Sequence, residues 1–426
     1  MNVSHFFNSG ALRHRNYRIF FTGQFISFVG TWMQGTAQSW LVYELTRSAV
    51  WLGLVSFLGT LPLSLFALVG GSVADRVNRR RLILATYTAT MLIAALFAAL
   101  IWLHAIEIHL VALLVFLSGL VNAFDIPARQ ALLVDLVGKE DLASGIALNS
   151  AMFNAARLLG PALGGLVVAG FGTAWCMMAN ALSFLAGIFA LLIIRMHTRG
   201  DNDEAHLPLW RSLQEGATYV RSSPLVWGLL ALVAVATIFG WSFTVLLPVF
   251  ADEVLGGGAI QLGRLLSASG LGALAGAVFT ATIGRRFWPR KILLTGLGIF
   301  ALAAIGFALS RNALLSLATL AFMGFGLILF NVNSNSALQR RVPDHLRGRV
   351  MGFYVLCFGG LMPVGSLQIG FIAEKLGVTT ALLINAAICG LATFAAARFI
   401  SQTRQQPSNQ PAFTSASPMN GFSLER

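Results

Sequence analysis

Ten predominantly apolar stretches of this chain run for nineteen residues or more without one Asp, Glu, Lys or Arg: 19–43, 48–74, 82–103, 173–194, 222–251, 265–284, 292–310, 312–339, 350–373 and 376–397. About 20 apolar residues in helical form cross the hydrocarbon layer of a bilayer. Two more stretches, 110–136 and 142–171, are long enough but carry charges inside them. The expectation is an all-α membrane protein of twelve transmembrane helices. A soluble fold is excluded by the surface it would need: only 11% of the residues are charged and 57% are hydrophobic, against about 25% charged in an average globular domain.

The sign of the charge follows from this topology. The chain has 29 Lys and Arg against 16 Asp and Glu, an imbalance that would suggest nucleic acid in a soluble protein. With the amino terminus placed in the cytoplasm, 23 of those 29 fall on the cytoplasmic side, as the positive-inside rule requires. Arg47, Arg264, Arg311 and Lys375 fall outside, and Arg129 and Arg157 fall within spans. No nucleic-acid partner is expected. Both termini are expected in the cytoplasm. Met1 to Arg18 lacks the apolar core and cleavage site of a signal peptide, so the first span is expected to act as the insertion signal. Cys176, Cys357 and Cys389 lie in apolar spans with no metal or disulfide spacing, and read as small buried hydrophobes.

The chain also repeats. Sliding it by about 205 residues places Gly160 and Gly165 of GPALGG on Gly365 and Gly370 of GSLQIG, and Asn180 on Asn385. The expected organisation is a cytoplasmic amino terminus (1–16), a six-helix bundle (17–194), a cytoplasmic linker (195–223), a second six-helix bundle (224–400) and a disordered cytoplasmic tail (401–426). Two six-span halves with a cytoplasmic linker match transporters whose substrate site lies between halves near the bilayer midplane.

Specific motifs point the same way. Gly71-Ser72-Val73-Ala74-Asp75-Arg76-Val77-Asn78-Arg79-Arg80-Arg81 resembles the loop 2–3 signature of the major facilitator superfamily, with Asn78 where a glycine is usual. Gly160-Pro161-x-x-Gly164-Gly165 resembles the superfamily's antiporter motif in span 5. The runs NYRIFFTGQFISFVGTWMQ, GATYVRSSP and RVPDHLRGRVMGFY resemble the secretion-effector branch that includes bacterial enterobactin exporters and drug-efflux proteins. The resemblance implies the two-bundle major facilitator fold, residence in the bacterial inner membrane, and export by alternating access. It further implies that spans 1, 4, 7 and 10 line the cavity and that Asp75, with Gly71, Arg76, Arg79 and Arg80, belongs to a cytoplasmic gate, where Arg129 is the nearest intradomain partner for Asp75.

Ionisable groups inside a membrane are costly and usually face a cavity or each other. Ser118, Asn122, Asp125 and Arg129 share one face of span 4, spaced 4, 3 and 4. Gln24, Ser27, Thr31, Gln34 and Gln38 do the same on span 1; span 5 offers Asn154 and Arg157, and span 10 Asn331 and Asn335. Asp125 reads either as a carboxylate that exchanges a proton, with Arg129 or Arg157 holding its charged form, or as an i,i+4 pair with Arg129 that neutralises two charges. Arg157 reads either as an ion partner for span 4 or as a substrate contact. The two arginines against one aspartate leave room for an anionic or hydrogen-bond-rich substrate. Gly160, Pro161, Gly164 and Gly165 permit close backbone approach. Trp241, Thr244, Asn331, Asn335 and Gln368 are expected to supply neutral contacts from the second half.

No nucleotide-binding GxxxxGK[ST], HExxH or GxSxG occurs, so neither an ATP motor nor enzyme chemistry is expected, and no cofactor or metal. The expected function is proton-driven export of small amphiphilic molecules such as siderophores or drugs by a monomer in membrane lipid. Proton-coupled uptake by symport, or a non-transporting receptor or scaffold, are the alternatives, separable by solute flux.

Overall fold

The computed structural model describes residues 10–194, 209–282 and 289–403. Arg195, Arg199, Arg285 and Arg286 of the expected cytoplasmic connections, Trp288, and the tail from residue 404 lie outside them; Ser401 to Thr403, assigned above to that tail, are helical. Twelve long helices are present among the described residues: α1 (Arg15–Thr46), α2 (Ala49–Arg76), α3 (Arg79–Trp102), α4 (Ile108–Val137), α5 (Leu142–Phe171) and α6 (Thr173–Ile193). A linker helix, Leu209–Ser222, precedes α7 (Pro224–Val254), α8 (Gly258–Thr282), α9 (Pro289–Leu309), α10 (Ala313–Gln339), α11 (Leu346–Leu376) and α12 (Val378–Thr403).

Eleven of the twelve are long and apolar enough to cross a membrane, and the exception is α1. It is 32 residues long, about 48 Å at 1.5 Å per residue, so length is not what it lacks. Its hydropathy is lowered by the glutamines and hydroxyls spaced along one face.

The ends of the helices are set by local chemistry. Ser48 caps α2 by accepting from Trp51 N, Asn78 caps α3 by accepting from Arg81 N, and Asn312 caps α10 by accepting from Leu314 N and Leu315 N. α4 passes through Pro127 and α5 through Pro161 without interruption. By contrast α7 and α11 are irregular. Wide π-type turns occupy Ala236–Gly240 and Phe250–Val254 of α7, with a tight 3-10 stretch over Trp241–Leu246 between them, and Leu356–Gly360 forms a π-type turn in α11.

Within the first six helices α1 packs on α5 and α6, α2 on α4, and α3 on α4 and α6; within the last six α10 packs on α8 and α9, and α9 on α12. Two extensive seams join the first six to the last six, α5 with α8 and α2 with α11. Both are built on glycine. A Cβ on Gly165 or on Gly263 would lie 3.1 Å from the other's Cα, and one on Gly53 or on Gly370 would lie 3.2 or 3.1 Å from its partner's. These seams explain half of the sequence repeat, since Gly165 and Gly370 occupy equivalent positions. Gly160 and Gly365 are equivalent too, and they press on the backbones of α1 at Val29 and Met33 and of α7 at Ile238. The equivalent asparagines complete the pattern: Asn180 donates to Gln34 Oε1 of α1 at 2.6 Å, and Asn385 to Ser242 Oγ of α7 at 3.0 Å.

Candidate functional site

The polar face of α4 converges on Asp125, which is 6% exposed. Its Oδ1 accepts from Thr86 Oγ1 of α3 at 2.9 Å and its Oδ2 from Arg129 Nε at 2.6 Å. The Arg129 guanidinium lies 4.7 Å from the centre of the Phe28 ring, a cation–π contact. One helical turn separates Asp125 from Arg129, so the pair is local; Thr86 comes from the next helix and ties α3 to it.

Three cavities surround this group. One of about 240 Å³ lies within the first six helices, lined by Gln34, Gln38, Asn122, Asp125, Arg129 and Asn180 among others. A second, of about 320 Å³, lies between α1, α4 and α5 and is lined by Gln24, Phe28, Arg129, Phe153 and Asn154. The third, about 240 Å³, spans the two halves between Trp32, Gln38, Ser56 and Thr244. Arg129 borders the first two, and Gln38 the first and third. Asp125 therefore faces a polar chamber of its own, with Arg129 between it and the second cavity.

Arg157 is 9% exposed and makes no ion pair among the described residues, so it is not the ion partner for α4 that its spacing allowed. Its guanidinium instead lies near two indoles, 5.9 Å from the Trp32 ring centre and 5.3 Å from that of Trp241. Trp241 comes from the other half.

The candidates of the second half are less gathered. Thr244 lines the third cavity. Asn331 accepts a short hydrogen bond from the Tyr354 hydroxyl, and Asn335 accepts from Gln339 at 2.6 Å; neither lines the three cavities. Gln368 donates to Ile238 O at 3.2 Å, which makes it a packing residue between α11 and α7.

The basic loop after α2 is divided by role. Arg79 bonds both Asp135 oxygens, at 2.8 and 2.9 Å, pinning the start of α3 to the end of α4. Arg80 donates to Leu191 O at 2.7 Å and Leu192 O at 3.0 Å, filling carbonyls left open at the end of α6. Asp75 and Arg76 are exposed and Gly71 faces open space. Asp75 has no ion pair among the described residues, and Arg129 is committed to Asp125, so the sharing of Arg129 between gate and cavity does not occur in this conformation. The antiporter-like run also divides: Gly160 and Gly164 press against α1, while Gly165 faces α8, and Gly263 of α8 approaches the Pro161 carbonyl.

At the opposite end, where α1 turns into α2, polar groups close the seam between halves. Arg47 pairs with Asp252, and the buried Tyr43 hydroxyl lies 3.0 Å from Asp252 Oδ2 and 3.1 Å from Glu253 Oε1. Glu374 of α11 accepts from Ser48 Oγ at 3.0 Å and Ala49 N at 2.9 Å, placing a carboxylate on the amino-terminal end of α2. The sequence reading missed Thr86, Phe28, Trp32 and this clasp. Thr86 and the aromatics carry no signal in an apolar helix; Tyr43, Asp252 and Glu253 sat at span ends, where charge is ordinary.

Long apolar helices joined by glycine seams, with a buried ion pair and cavities between them, make this a multi-pass membrane protein with room for small molecules. The fold matches a bacterial homologue of the human lysosomal transporter Spinster in its inward-facing, unoccupied conformation (TM-score 0.72, 14% identity, 92% of this chain and 98% of that one). It also matches the nucleoside transporter NupG (TM-score 0.72, 14% identity, 91% and 99%). Residues 8–423 match the transmembrane secretion effector family, and the chain belongs to this branch of the major facilitator superfamily, in the bacterial inner membrane. Relatives include the staphyloferrin A transporter of Staphylococcus aureus (23% identical; 85% of this chain and 90% of the relative) and the multidrug efflux pump Tap of Mycolicibacterium fortuitum (29%; 81% and 86%). The enterobactin exporter of Escherichia coli is 29% identical over 80% of this chain and 81% of its own.

Proposed function

We propose that this protein is a proton-driven exporter of siderophore-like or drug-like amphiphiles, with α1 as a twelfth span, two six-helix bundles, and both termini in the cytoplasm. The observation that carries the reading is the buried Asp125, bonded by Arg129 and Thr86 in a polar chamber beside the cavities. Protonating it removes the counter-ion of Arg129, so proton occupancy and the position of Arg129 are one equilibrium. In an antiport cycle substrate crosses outward with Asp125 ionised, and the carrier returns with Asp125 protonated.

Alternating access is supported by where the halves meet. The hydrogen bonds and ion pairs across the halves among the described residues run from the Arg47 end to the Ser64 hydroxyl, 3.4 Å from Gly359 O. With the termini inside, that is a carrier closed outward. Relatives named for export of enterobactin and multiple drugs favour export over uptake.

The test uses inverted membrane vesicles acidified inside, with enterobactin and staphyloferrin A as probes. Uptake is expected with the natural protein, together with substrate-driven proton release, and neither is expected with Asp125→Asn that still elutes as a folded species. Undiminished proton-driven uptake in that variant overturns the coupling role of Asp125.

A further inference from the structure

Arg157 is the buried cation that the coupling scheme leaves unused. A guanidinium removed from water is normally matched by a carboxylate or by several hydrogen bonds, because its desolvation is otherwise uncompensated. Arg157 has neither among the described residues; what it has is the Trp32 ring at 5.9 Å and the Trp241 ring at 5.3 Å. Cation–π contacts hold the flat cation in place and leave its in-plane N–H donors without an acceptor.

The two indoles belong to a longer aromatic series. Trp32 meets Phe153 edge to face at 5.6 Å between ring centres, and Phe153 meets Phe28 at 5.9 Å, on which Arg129 rests. On the other side Trp241 meets Phe358 at 5.9 Å, and Phe358 stacks on Tyr354 at 6.2 Å with an interplanar angle of 12°. Trp241 begins the 3-10 stretch of α7 and Phe358 lies in the π-type turn of α11, and such departures inside long helices recur at functional positions. Phe153 lines the second cavity and Trp32 the third. The series thus crosses from half to half through Arg157, and its members in the first half open onto two cavities.

We propose that Arg157, with Trp32 and Trp241, is the recognition point for the transported molecule, and that it takes an organic anion carried on or beside a flat aromatic ring. The anion supplies the counter-charge that Arg157 lacks, through charge-assisted hydrogen bonds in the guanidinium plane. The ring extends the aromatic series by stacking. Because Trp32 and Trp241 come from opposite halves, a molecule bound there touches both, as a substrate of a rocking carrier must. This rests on the reading of the cavities as a transport path and adds the substrate class to it.

The test is calorimetric titration of the purified full-length protein with 1-naphthoate, neutral 1-naphthamide, cyclohexanecarboxylate and potassium chloride. Naphthoate is expected to bind at least about tenfold more tightly than naphthamide, the low end for one hydrogen bond to a charged group, and about two- to tenfold more tightly than cyclohexanecarboxylate, the range of one aromatic contact. Chloride is expected to compete weakly. In Arg157→Gln the advantage over naphthamide is expected to vanish, in Arg157→Lys to survive in part, and in Trp241→Leu the advantage over cyclohexanecarboxylate to shrink. Equal affinity of naphthoate and naphthamide for the natural protein overturns the proposal without recourse to any variant. So does an unaltered preference in Arg157→Gln, or full occupancy by chloride alone. Naphthoate binding that persists while Asp125→Asn transports normally would overturn the coupling scheme and leave this site standing.

Discussion

Gly165 of α5 and Gly263 of α8 approach so closely that a methyl group on either would press on the other's backbone, and Gly370 of α11 with Gly53 of α2 repeats the contact across the molecule. In the alternating-access cycle proposed above, the two seams are the points about which the halves would rock. Replacing Gly165 by Val inserts three carbons where there is no room, costing about 1–3 kcal/mol if the seam held its position; the seam is expected to part instead. Gly165→Val should insert and fold but lose at least about tenfold in transport rate, the factor that 1.4 kcal/mol represents. Vesicle flux with expression measured in parallel checks this, and normal flux would show that the seam is not a pivot.

The clasp at the Arg47 end gives a second prediction. Tyr43 is fully buried and its one hydroxyl hydrogen is shared between two carboxylates while the oxygen accepts from Arg47 at 2.9 Å. Tyr43→Phe is expected to weaken closure by on the order of 1.5 kcal/mol, a typical value for a hydrogen bond to a charged group. Labelling a Thr244→Cys reporter in the inter-half cavity from outside the cell reads the result. Its modification should speed up about tenfold. Arg47→Ala, which removes a pair half exposed to water, should change it by less than about threefold. An equal effect of the two variants would contradict the burial argument.

The gate loop yields a third. Arg79 and Asp135 form a two-oxygen contact on an exposed surface, whereas Arg80 caps a helix end. Exchange of charge, Arg79→Asp with Asp135→Arg, is expected to recover most of the transport that either single change loses. Arg80→Ala should lower the melting temperature and find no rescue at a single partner, because its acceptors are backbone carbonyls. Rescue failing at the first pair would mean that Arg79 acts on something other than Asp135.

A pH dependence follows from the stitch between the amino terminus and α5. Asp141 is held below its ordinary range, first by the hydrogen bond from His14 at 2.8 Å and then by the neighbouring Arg13 at 2.7 Å. A carboxyl depressed on folding contributes stability above its unfolded pKa, about 3.9, and loses it as pH falls through the lower folded value. Asp141→Asn should therefore melt below the natural protein at neutral pH, with the gap closing only under strong acid. A gap constant from pH 7 to pH 3 would sink the assignment.

Much of this architecture was legible because membrane helices announce themselves by composition and because the repeat carried structural glycines. Gly165, Gly370, Asn180 and Asn385 were paired by sequence offset, and the fold shows the reason: the two glycines make the same close contact across the seams between the first six helices and the last six, and the two asparagines bond α1 and α7 within their own six. The Asp125–Arg129 contact could be read from spacing, since i and i+4 share a face. Its third member, Thr86, could not, because a lone threonine in an apolar helix is as often bonded to its own backbone. The lower hydropathy of α1 has the same root: a helix that lines a cavity needs the polar face that makes it look less like a span. Arg157 was visible as a charge but not as one set beside two indoles, for Trp32 and Trp241 lie far apart in sequence and approach it only in the folded molecule.

Charge counting supplies the last prediction. Asp125, Arg129 and Arg157 sum to one positive charge in the middle of the molecule. Binding a monovalent anion brings the sum to zero for the outward crossing, and protonating Asp125 with the site empty brings it to two positive charges for the return. Each charge crossing the full potential is worth about 2.3 kcal/mol per 100 mV, so an inside-negative membrane should pull the empty, protonated carrier inward. In proteoliposomes loaded with potassium and treated with valinomycin, exchange of 1-naphthoate for protons is then expected to accelerate as the potential is made more negative on the terminus side. With Arg157→Gln the cycle moves one positive charge fewer in both crossings, and the voltage dependence of the return step should fall by about half. Transport indifferent to potential in the natural protein would mean that the proton and the anion are not carried in the ratio this count requires.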